Sequence, residues 1–143
     1  MNNSKTYSGG CLCGAVTFTA EDVSVDVHAC HCKTCRNWSG GSMLAASAAT
    51  VEFSGEANIA RYDSSAWAQR GFCRLCGSSL FFQLHGADHF VMCLGAFDDS
   101  ADFNLSGEIF VDEKPRGYDF QGDHSRLTGP DFLASIGAGD PDG

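Results

Sequence analysis

Short runs in which apolar and polar residues alternate dominate this chain. A period of two is typical of strands with one buried face. It predicts strands over residues 13–19, 23–28, 51–53, 59–62, 66–72, 79–84 and 108–111. Residues 90–94 are apolar on both faces and predict a central strand. The first two strands should pair as a hairpin around a turn at Glu21 and Asp22, while residues 43–46 fit a strand or a helix equally well.

Helical signals are few. Pro130 opens a short apolar run that predicts a helix over residues 130–134, and residues 36–41 are polar and glycine-rich, which predicts a loop. From residue 114 onward the pattern is irregular. We therefore expect a mainly β fold, a compact sheet or sandwich-like single domain with few short helices. Its core should span residues 9–136, between a flexible N-terminus (1–8) and a flexible tail (137–143).

The composition of the chain argues against several classes of function. The net charge of -9 disfavours binding to a phosphate backbone, so we expect no nucleic-acid partner. No apolar stretch approaches the length of a membrane span, and the polar first eight residues do not resemble a secretory signal. These features predict a cytoplasmic protein with no membrane partner. In such a reducing compartment, eight cysteines indicate metal ligands before disulfides.

Seven of the eight cysteines fall into three clusters. Two outer pairs, Cys11/Cys13 and Cys73/Cys76, flank a central group of Cys30, Cys32 and Cys35. A structural zinc takes four protein ligands, whereas a catalytic zinc keeps three and an open position. The seven thiols divide naturally in that way, with the outer pairs forming a closed site and the central group an open one. Gly14 and Gly77 follow the outer pairs and can adopt the positive φ that a metal knuckle needs.

Other arrangements of these thiols remain open at this stage. The central site could be closed by Cys93 or by His28, because eight cysteines also divide into two groups of four. Cys93 lies in an apolar strand, where cysteine usually acts as a small hydrophobe. Buried free cysteines, a disulfide framework and iron in place of zinc are further alternatives.

Several other residues near the central cysteines are candidates for ligand binding. Alternation along the chain points His31 away from the metal, which makes it a poor fourth ligand. His31, Arg36 and Asn37 could bind a carboxylate, and Trp38 could line a pocket above the metal. Basic residues concentrated at the cysteine segments could offset thiolate charge; they are Lys33, Arg36, Arg70 and Arg74. The remaining histidines show no metal spacing and are expected at the surface; they are His85, His89 and His124.

Three blocks of this sequence resemble the signature blocks of the glutathione-dependent formaldehyde-activating enzyme family, which includes centromere-protein-V-like proteins. The blocks read GCLCG at 10–14, CHCKTCR at 30–36 and FCRLCGS at 72–78, in the family's order. The resemblance spans about residues 9–112. It implies a compact β fold of the β-tent type with two zinc ions per chain. The structural zinc would sit on Cys11, Cys13, Cys73 and Cys76, and the catalytic zinc on Cys30, Cys32 and Cys35.

The resemblance also implies a reaction. The family joins glutathione and formaldehyde into S-hydroxymethylglutathione, or reverses that step, as a carbon–sulfur lyase. We therefore expect a small-molecule partner, a thiol–aldehyde adduct for which glutathione is the candidate thiol. The alternative is a non-catalytic zinc module that binds another protein through the segment 36–41.

Overall fold

The computed structural model describes residues 5–137, and ten strands and two short α-helices are the main elements of this part of the chain. The first five strands are β1 (Lys5–Gly10), β2 (Thr17–Val23), β3 (Asp26–Cys30), β4 (Met43–Ser54) and β5 (Ile59–Asp63). The others are β6 (Ala68–Cys73), β7 (Ser79–Leu84), β8 (Phe90–Cys93), β9 (Asn104–Ile109) and β10 (Ser125–Leu127). The helices are α1 (Lys33–Ser39) and α2 (Gly129–Ser135).

All ten strands belong to one sheet, which confirms the mainly β fold. Its principal order is β10-β9-β3-β4-β8-β7-β6-β5, and β1 joins through β2, which pairs with β4. The predicted central position of residues 90–94 is confirmed, because β8 lies between β4 and β7. The ambiguous segment 43–46 is strand, since it begins the long strand β4.

The predicted hairpin between the first two strands is wrong. Instead, β2 and β3 follow one another along the single partner β4, pairing from Thr17↔Ser54 to Cys30↔Met43. Glu21 and Asp22, which were expected to form a turn, lie inside β2, and Asp22 adopts a φ of 53° there. The second edge of β3 is taken by a parallel partner, β9. A strand of twelve residues can hold two shorter strands end to end, which the local pattern did not reveal.

Two further expectations need correction. Residues 5–8, assigned to a flexible N-terminus, belong to β1, which pairs with β2. The segment 36–41, expected to be a loop, lies mostly in α1. The Cys32 sulfur accepts a hydrogen bond from the Cys35 amide at the start of this helix, and Gly40 ends it at a φ of 82°. The expected flexible segments 1–4 and 138–143 lie outside the described residues.

The predicted C-terminal helix is confirmed as α2. Thr128 caps it by accepting a hydrogen bond from the Asp131 amide at 3.2 Å, and Pro130 sits in its first turn. The chain from residue 114 is irregular as expected, apart from the short strand β10.

The core consists of two apolar clusters that lie under different cysteine groups. The larger cluster is built around Phe18, Leu80, Phe81 and Met92, and it includes the buried Cys73. The smaller one contains Cys35, Met43 and Ala45, with other side chains packed against it; these are Cys30, Cys32, Trp38, Phe82, Val91 and Cys93. The outer cysteines are thus tied to the main core, and the central group to a satellite cluster.

Candidate metal centres

The structure brings the outer cysteine pairs together into one four-sulfur cluster. The four Sγ atoms of Cys11, Cys13, Cys73 and Cys76 lie within 4.8 Å of one another. The distance between sulfurs is 3.6 Å for Cys11 and Cys13, and 3.8 Å for Cys13 and Cys73. A tetrahedral ion with metal–sulfur bonds of about 2.3 Å separates its sulfurs by about 3.8 Å. The cluster therefore has the dimensions of a closed thiolate site that fits zinc.

Backbone amides donate hydrogen bonds to sulfurs of this cluster, and the two glycines adopt the positive φ values that the sequence predicts. Gly14 and Gly77 have φ values of 83° and 79°, and each closes a tight turn back to the first cysteine of its pair. The turns let the Val16 amide donate to Cys11 at 3.3 Å and the Leu75 amide donate to Cys73 at 3.4 Å. N–H groups aimed at sulfur stabilise the thiolate form, which is the form that binds metal.

The central group, named here the triad, consists of Cys30, Cys32 and Cys35. Its three sulfurs lie within 4.8 Å of one another; Cys30 ends β3, Cys32 precedes α1, and Cys35 lies inside the helix. Hydrogen bonds from Cys30 and Cys35 lower the pKa of Cys32, and the nearby Arg70 charge adds to the effect. These interactions favour the thiolate form of Cys32, which is the form that binds metal.

The fourth position of the triad decides between an open and a closed site. Across residues 5–137, no fourth cysteine, histidine or carboxylate joins the triad within the same 4.8 Å. Cys93 packs against the same apolar cluster, and desolvation by burial raises the pKa of its thiol to about 12. Cys93 therefore has the character of a small hydrophobe, and the second closed site lacks its fourth ligand in this part of the chain.

Arg70 lies against the triad. This side chain is 3% exposed, and its Nη2 atom is 3.5 Å from the Cys35 sulfur. Its other groups donate to Ser64 Oγ at 3.0 Å and to Met43 Sδ at 3.5 Å. The guanidinium also lies over the rings of Trp38 and Phe82, at 5.3 and 5.1 Å from their centroids. Within the described chain no carboxylate pairs with this buried cation, so the thiolates of the triad are its natural counter-charge.

A cleft of about 390 Å³ opens beside the triad; we call it the α1 cleft. It is lined by residues of α1, by two residues at the end of β5 and by one residue of β6; these are Lys33, Thr34, Asn37, Trp38, Tyr62, Ser64 and Arg70. Asn37 and Trp38 were expected near a ligand, and both face this space. Because Arg70 touches Cys35 and lines the cleft, the triad and the cleft share a wall.

The structure corrects the carboxylate-binding role expected of His31. Its side chain is fully buried and points away from the triad, as the alternation along the chain suggested. Nε2 lies 2.7 Å from Glu108 Oε1, and Nδ1 lies 2.8 Å from the Ser42 hydroxyl. The Nε group of Arg36 donates a hydrogen bond to the His31 carbonyl at 2.9 Å. Both side chains hold the cysteine turn in place and do not line the cleft.

Glu108 is the centre of a buried network that the sequence analysis missed. This carboxylate is 2% exposed and accepts hydrogen bonds from His31, His124 and Arg126. Burial raises the pKa of Glu108, but the hydrogen bonds from His124 and His31 outweigh it, so the pKa lies below its ordinary value. His124 was expected at the surface, yet only 6% of its side chain is exposed. His85 and His89 are exposed as predicted.

The fold and the two cysteine clusters define a small β protein with a four-cysteine cluster and a three-cysteine cluster, each of which could hold a metal ion. A family model described as glutathione-dependent formaldehyde-activating enzyme matches residues 6–113, and the chain belongs to that family. An uncharacterized lyase of Schizosaccharomyces pombe is 31% identical over 132 residues, which cover 91% of this chain and 96% of that protein.

A crystal structure of a Rhodobacter sphaeroides protein shares the fold, with a TM-score of 0.53 and 21% identity. The match covers 83% of this chain and 98% of that one. No helix in residues 5–137 is both long and apolar enough to span a membrane.

Proposed function

We propose that this protein is a zinc-dependent carbon–sulfur lyase that acts on a thiol adduct of formaldehyde such as S-hydroxymethylglutathione. The observation that carries the proposal is the triad, three clustered sulfurs with no fourth ligand among the described residues, beside a cleft. Membership of the formaldehyde-activating family supports the substrate, and the lyase name of the yeast relative supports the reaction class.

Two zinc ions fit the two clusters. Cys11, Cys13, Cys73 and Cys76 would hold a structural ion, because their spacing matches a tetrahedral thiolate site. Cys30, Cys32 and Cys35 would hold a catalytic ion, because they provide only three ligands. When bound there, zinc supplies a Lewis acid that keeps a thiol sulfur in its thiolate form near neutral pH.

The reaction needs no redox partner. In the cleavage direction, the carbon–sulfur bond of the adduct breaks and its electron pair stays on sulfur. The adduct hydroxyl loses its proton to water while its oxygen becomes the carbonyl oxygen of formaldehyde. The reverse direction forms the same bond from thiolate and aldehyde. Binding of the thiolate brings further negative charge to the triad, and the buried Arg70 guanidinium beside Cys35 offsets part of it.

The remaining cleft residues would position the substrate. The Trp38 ring is held against the Arg70 guanidinium, so it forms a fixed wall beside the sulfur-binding position. Asn37 lines the same cleft and offers an amide to polar groups of the substrate. All eight cysteines are free thiols, which suits the reducing cytoplasm that we propose as the location.

The test is exchange spectroscopy with ¹³C-formaldehyde and glutathione, because the adduct also forms without an enzyme. The wild-type protein should accelerate exchange between free formaldehyde and the adduct, and Cys32→Ser should abolish the acceleration. Cys93→Ala is the matched control, since Cys93 packs close to the triad without joining it. Loss of activity in Cys93→Ala to the same degree as in Cys32→Ser would favour a closed site and contradict an open catalytic centre.

One observation favours a second candidate, a non-catalytic zinc module that binds another protein. Leu12 and Leu75 lie within the two knuckles of the four-sulfur cluster and are 90% and 59% exposed. Exposed apolar side chains that form a continuous patch mark contact surfaces for other proteins. Two zinc ions that no thiol perturbs, together with unchanged formaldehyde exchange, would support this module over the lyase.

A further inference from the structure

The α1 cleft adjoins the triad through Arg70, which lines the cleft and contacts the Cys35 sulfur. Its volume of about 390 Å³ lies within the range of small-ligand sites. A molecule that lies in this cleft with its sulfur at the triad would extend past the Arg70 guanidinium. The chemistry of the cleft therefore acts on the part of the substrate beyond its thiol.

The charge of this cleft is opposite to that of the protein as a whole. Two cations, Lys33 and Arg70, line it and no carboxylate does, although the net charge of the chain is -9. A local excess of positive charge in an acidic protein selects for negatively charged ligands. The lining also contributes the Asn37 amide and the Ser64 hydroxyl, which suit a polar ligand.

The two cations differ in what they can do. Arg70 is buried and committed to Cys35, Ser64 and Met43, so its charge serves the triad first. Lys33 is exposed, and across residues 5–137 its ammonium group has no ion pair. The Glu113 carboxylate accepts a hydrogen bond from the Lys33 backbone amide at 2.9 Å and forms no ion pair with the ammonium group. The Lys33 ammonium group is thus available to a ligand.

We propose that the α1 cleft is a carboxylate subsite in which Lys33 selects thiols that carry a negative charge on the tail beyond the sulfur. This inference rests on the proposed binding of a thiol at the triad. It assigns charge selection to one exposed lysine that is not a metal ligand. It predicts that reversing the charge at this residue alters which thiols bind without altering how the triad holds its metal.

The experiment measures thiol binding to the full chain loaded with Co²⁺, whose sulfur-to-cobalt absorbance reports a new sulfur ligand without any turnover. Three small thiols are titrated into each variant: 3-mercaptopropionate (anionic), 2-mercaptoethanol (neutral) and cysteamine (cationic). Because these thiols differ in acidity, the informative quantity is the change that a substitution makes in the ratio of dissociation constants for the anionic and cationic thiols.

Lys33→Glu should weaken binding of the anionic thiol and strengthen binding of the cationic thiol. The ratio of their dissociation constants should therefore change by about tenfold or more at low salt. The dissociation constant of the neutral thiol should change by less than about twofold. Lys33→Gln should produce part of the same change. Lys5→Glu is the matched control, because this lysine is 60% exposed on β1 and lies outside the cleft.

Two results would overturn the inference. Equal changes in the dissociation constants of all three thiols would show that Lys33 does not select thiols by charge. The same change in the anionic-to-cationic ratio in Lys5→Glu would show this too. An absorbance that no thiol alters would contradict thiol binding at the triad, and with it both the proposed function and this inference. Thiol binding without charge selection would overturn the inference alone.

Discussion

The Arg70 guanidinium lies 3.5 Å from the Cys35 sulfur and is almost fully buried. A buried cation without a carboxylate partner is costly unless another negative group is close. Three thiolates around a divalent ion provide such a group, since the assembly has one net negative charge. The pair therefore links the folding of β6 to the charge state of the triad.

Replacing Arg70 should weaken the hold of the triad on its metal. Arg70→Met keeps the approximate volume and removes the charge, so the affinity of the triad for zinc should fall by about 10–100-fold. Competition with a chromophoric chelator measures this affinity. The four-sulfur cluster should release its ion as in the wild type.

Arg61→Met is the control for Arg70→Met. The Arg61 guanidinium lies 5.1 Å from the Phe81 centroid, like that of Arg70 from Phe82, but it does not touch a cysteine. Equal losses of zinc affinity in the two variants would show that general packing, and not the contact with Cys35, accounts for the effect.

Glu108 should make a pH-dependent contribution to stability. Its pKa in the folded state lies below the ordinary 4.5, so its stabilising effect is present above pH 4.5 and is lost as the pH falls through the folded value. Glu108→Gln should lower the free energy of unfolding by about 2 kcal/mol or more at pH 7, because a buried charged acceptor of three hydrogen bonds is lost. The gap between variant and wild type should narrow below pH 4.5.

Urea unfolding from pH 7 to pH 3.5 measures this gap. Glu56→Gln is the control, because Glu56 is 66% exposed in its pair with Arg61 and should contribute less than about 1 kcal/mol. A gap between Glu108→Gln and wild type that stays constant across the pH range would contradict the stated role of the carboxylate.

The two cysteine clusters should differ in what their loss does to the fold. Cys13 and Cys73 are separated by 60 residues, so a metal that joins their pairs restrains the unfolded chain and stabilises the fold by several kcal/mol. Cys11→Ser should therefore lower the thermal midpoint strongly, whereas Cys32→Ser should lower it far less. Thermal unfolding and the zinc content should be measured for both variants. Equal decreases in the thermal midpoint would argue against a division into structural and catalytic sites.

Gly71 should not tolerate a methyl group. A Cβ atom at this position of β6 would meet the ring of the fully buried Phe81 at 2.3 Å. Gly71→Ala should therefore destabilise the protein by about 1–3 kcal/mol through overpacking. Gly95→Ala, where a Cβ meets nothing within 4 Å, should change stability by less than about 0.5 kcal/mol. The urea midpoints of unfolding compare the stabilities of the two variants. Similar midpoints would contradict the close packing at Gly71.

Local chemistry explains what the sequence predicts well. The knuckle spacing and the glycines after Cys13 and Cys76 specify tight turns, and the structure has those turns with positive φ. Alternation identified most of the strands, because strands such as β2 and β3 bury one face. Helix α1 escaped prediction since a thiol, Cys32, takes the capping place that Ser, Thr, Asp or Asn usually fills.

Long-range pairing explains what the sequence did not reveal. Glu108 meets His31 because β9 runs parallel to β3, a contact between residues 77 apart. No local pattern encodes that pairing, although a charged residue beside the apolar Ile109 and Phe110 was a signal of a buried partner. The α1 cleft likewise combines α1 with the end of β5 and with Arg70 inside β6, so Lys33 and Ser64 could not be placed together beforehand.

X-ray absorption at the zinc edge, with and without glutathione, tests the central claim most directly. A closed site and an open site together give about 3.5 sulfur ligands per zinc, and thiol binding at the triad should raise this to about 4. Cys32→Ser should not show the increase. A value of 4 before glutathione is added, unchanged after it, would contradict an open triad.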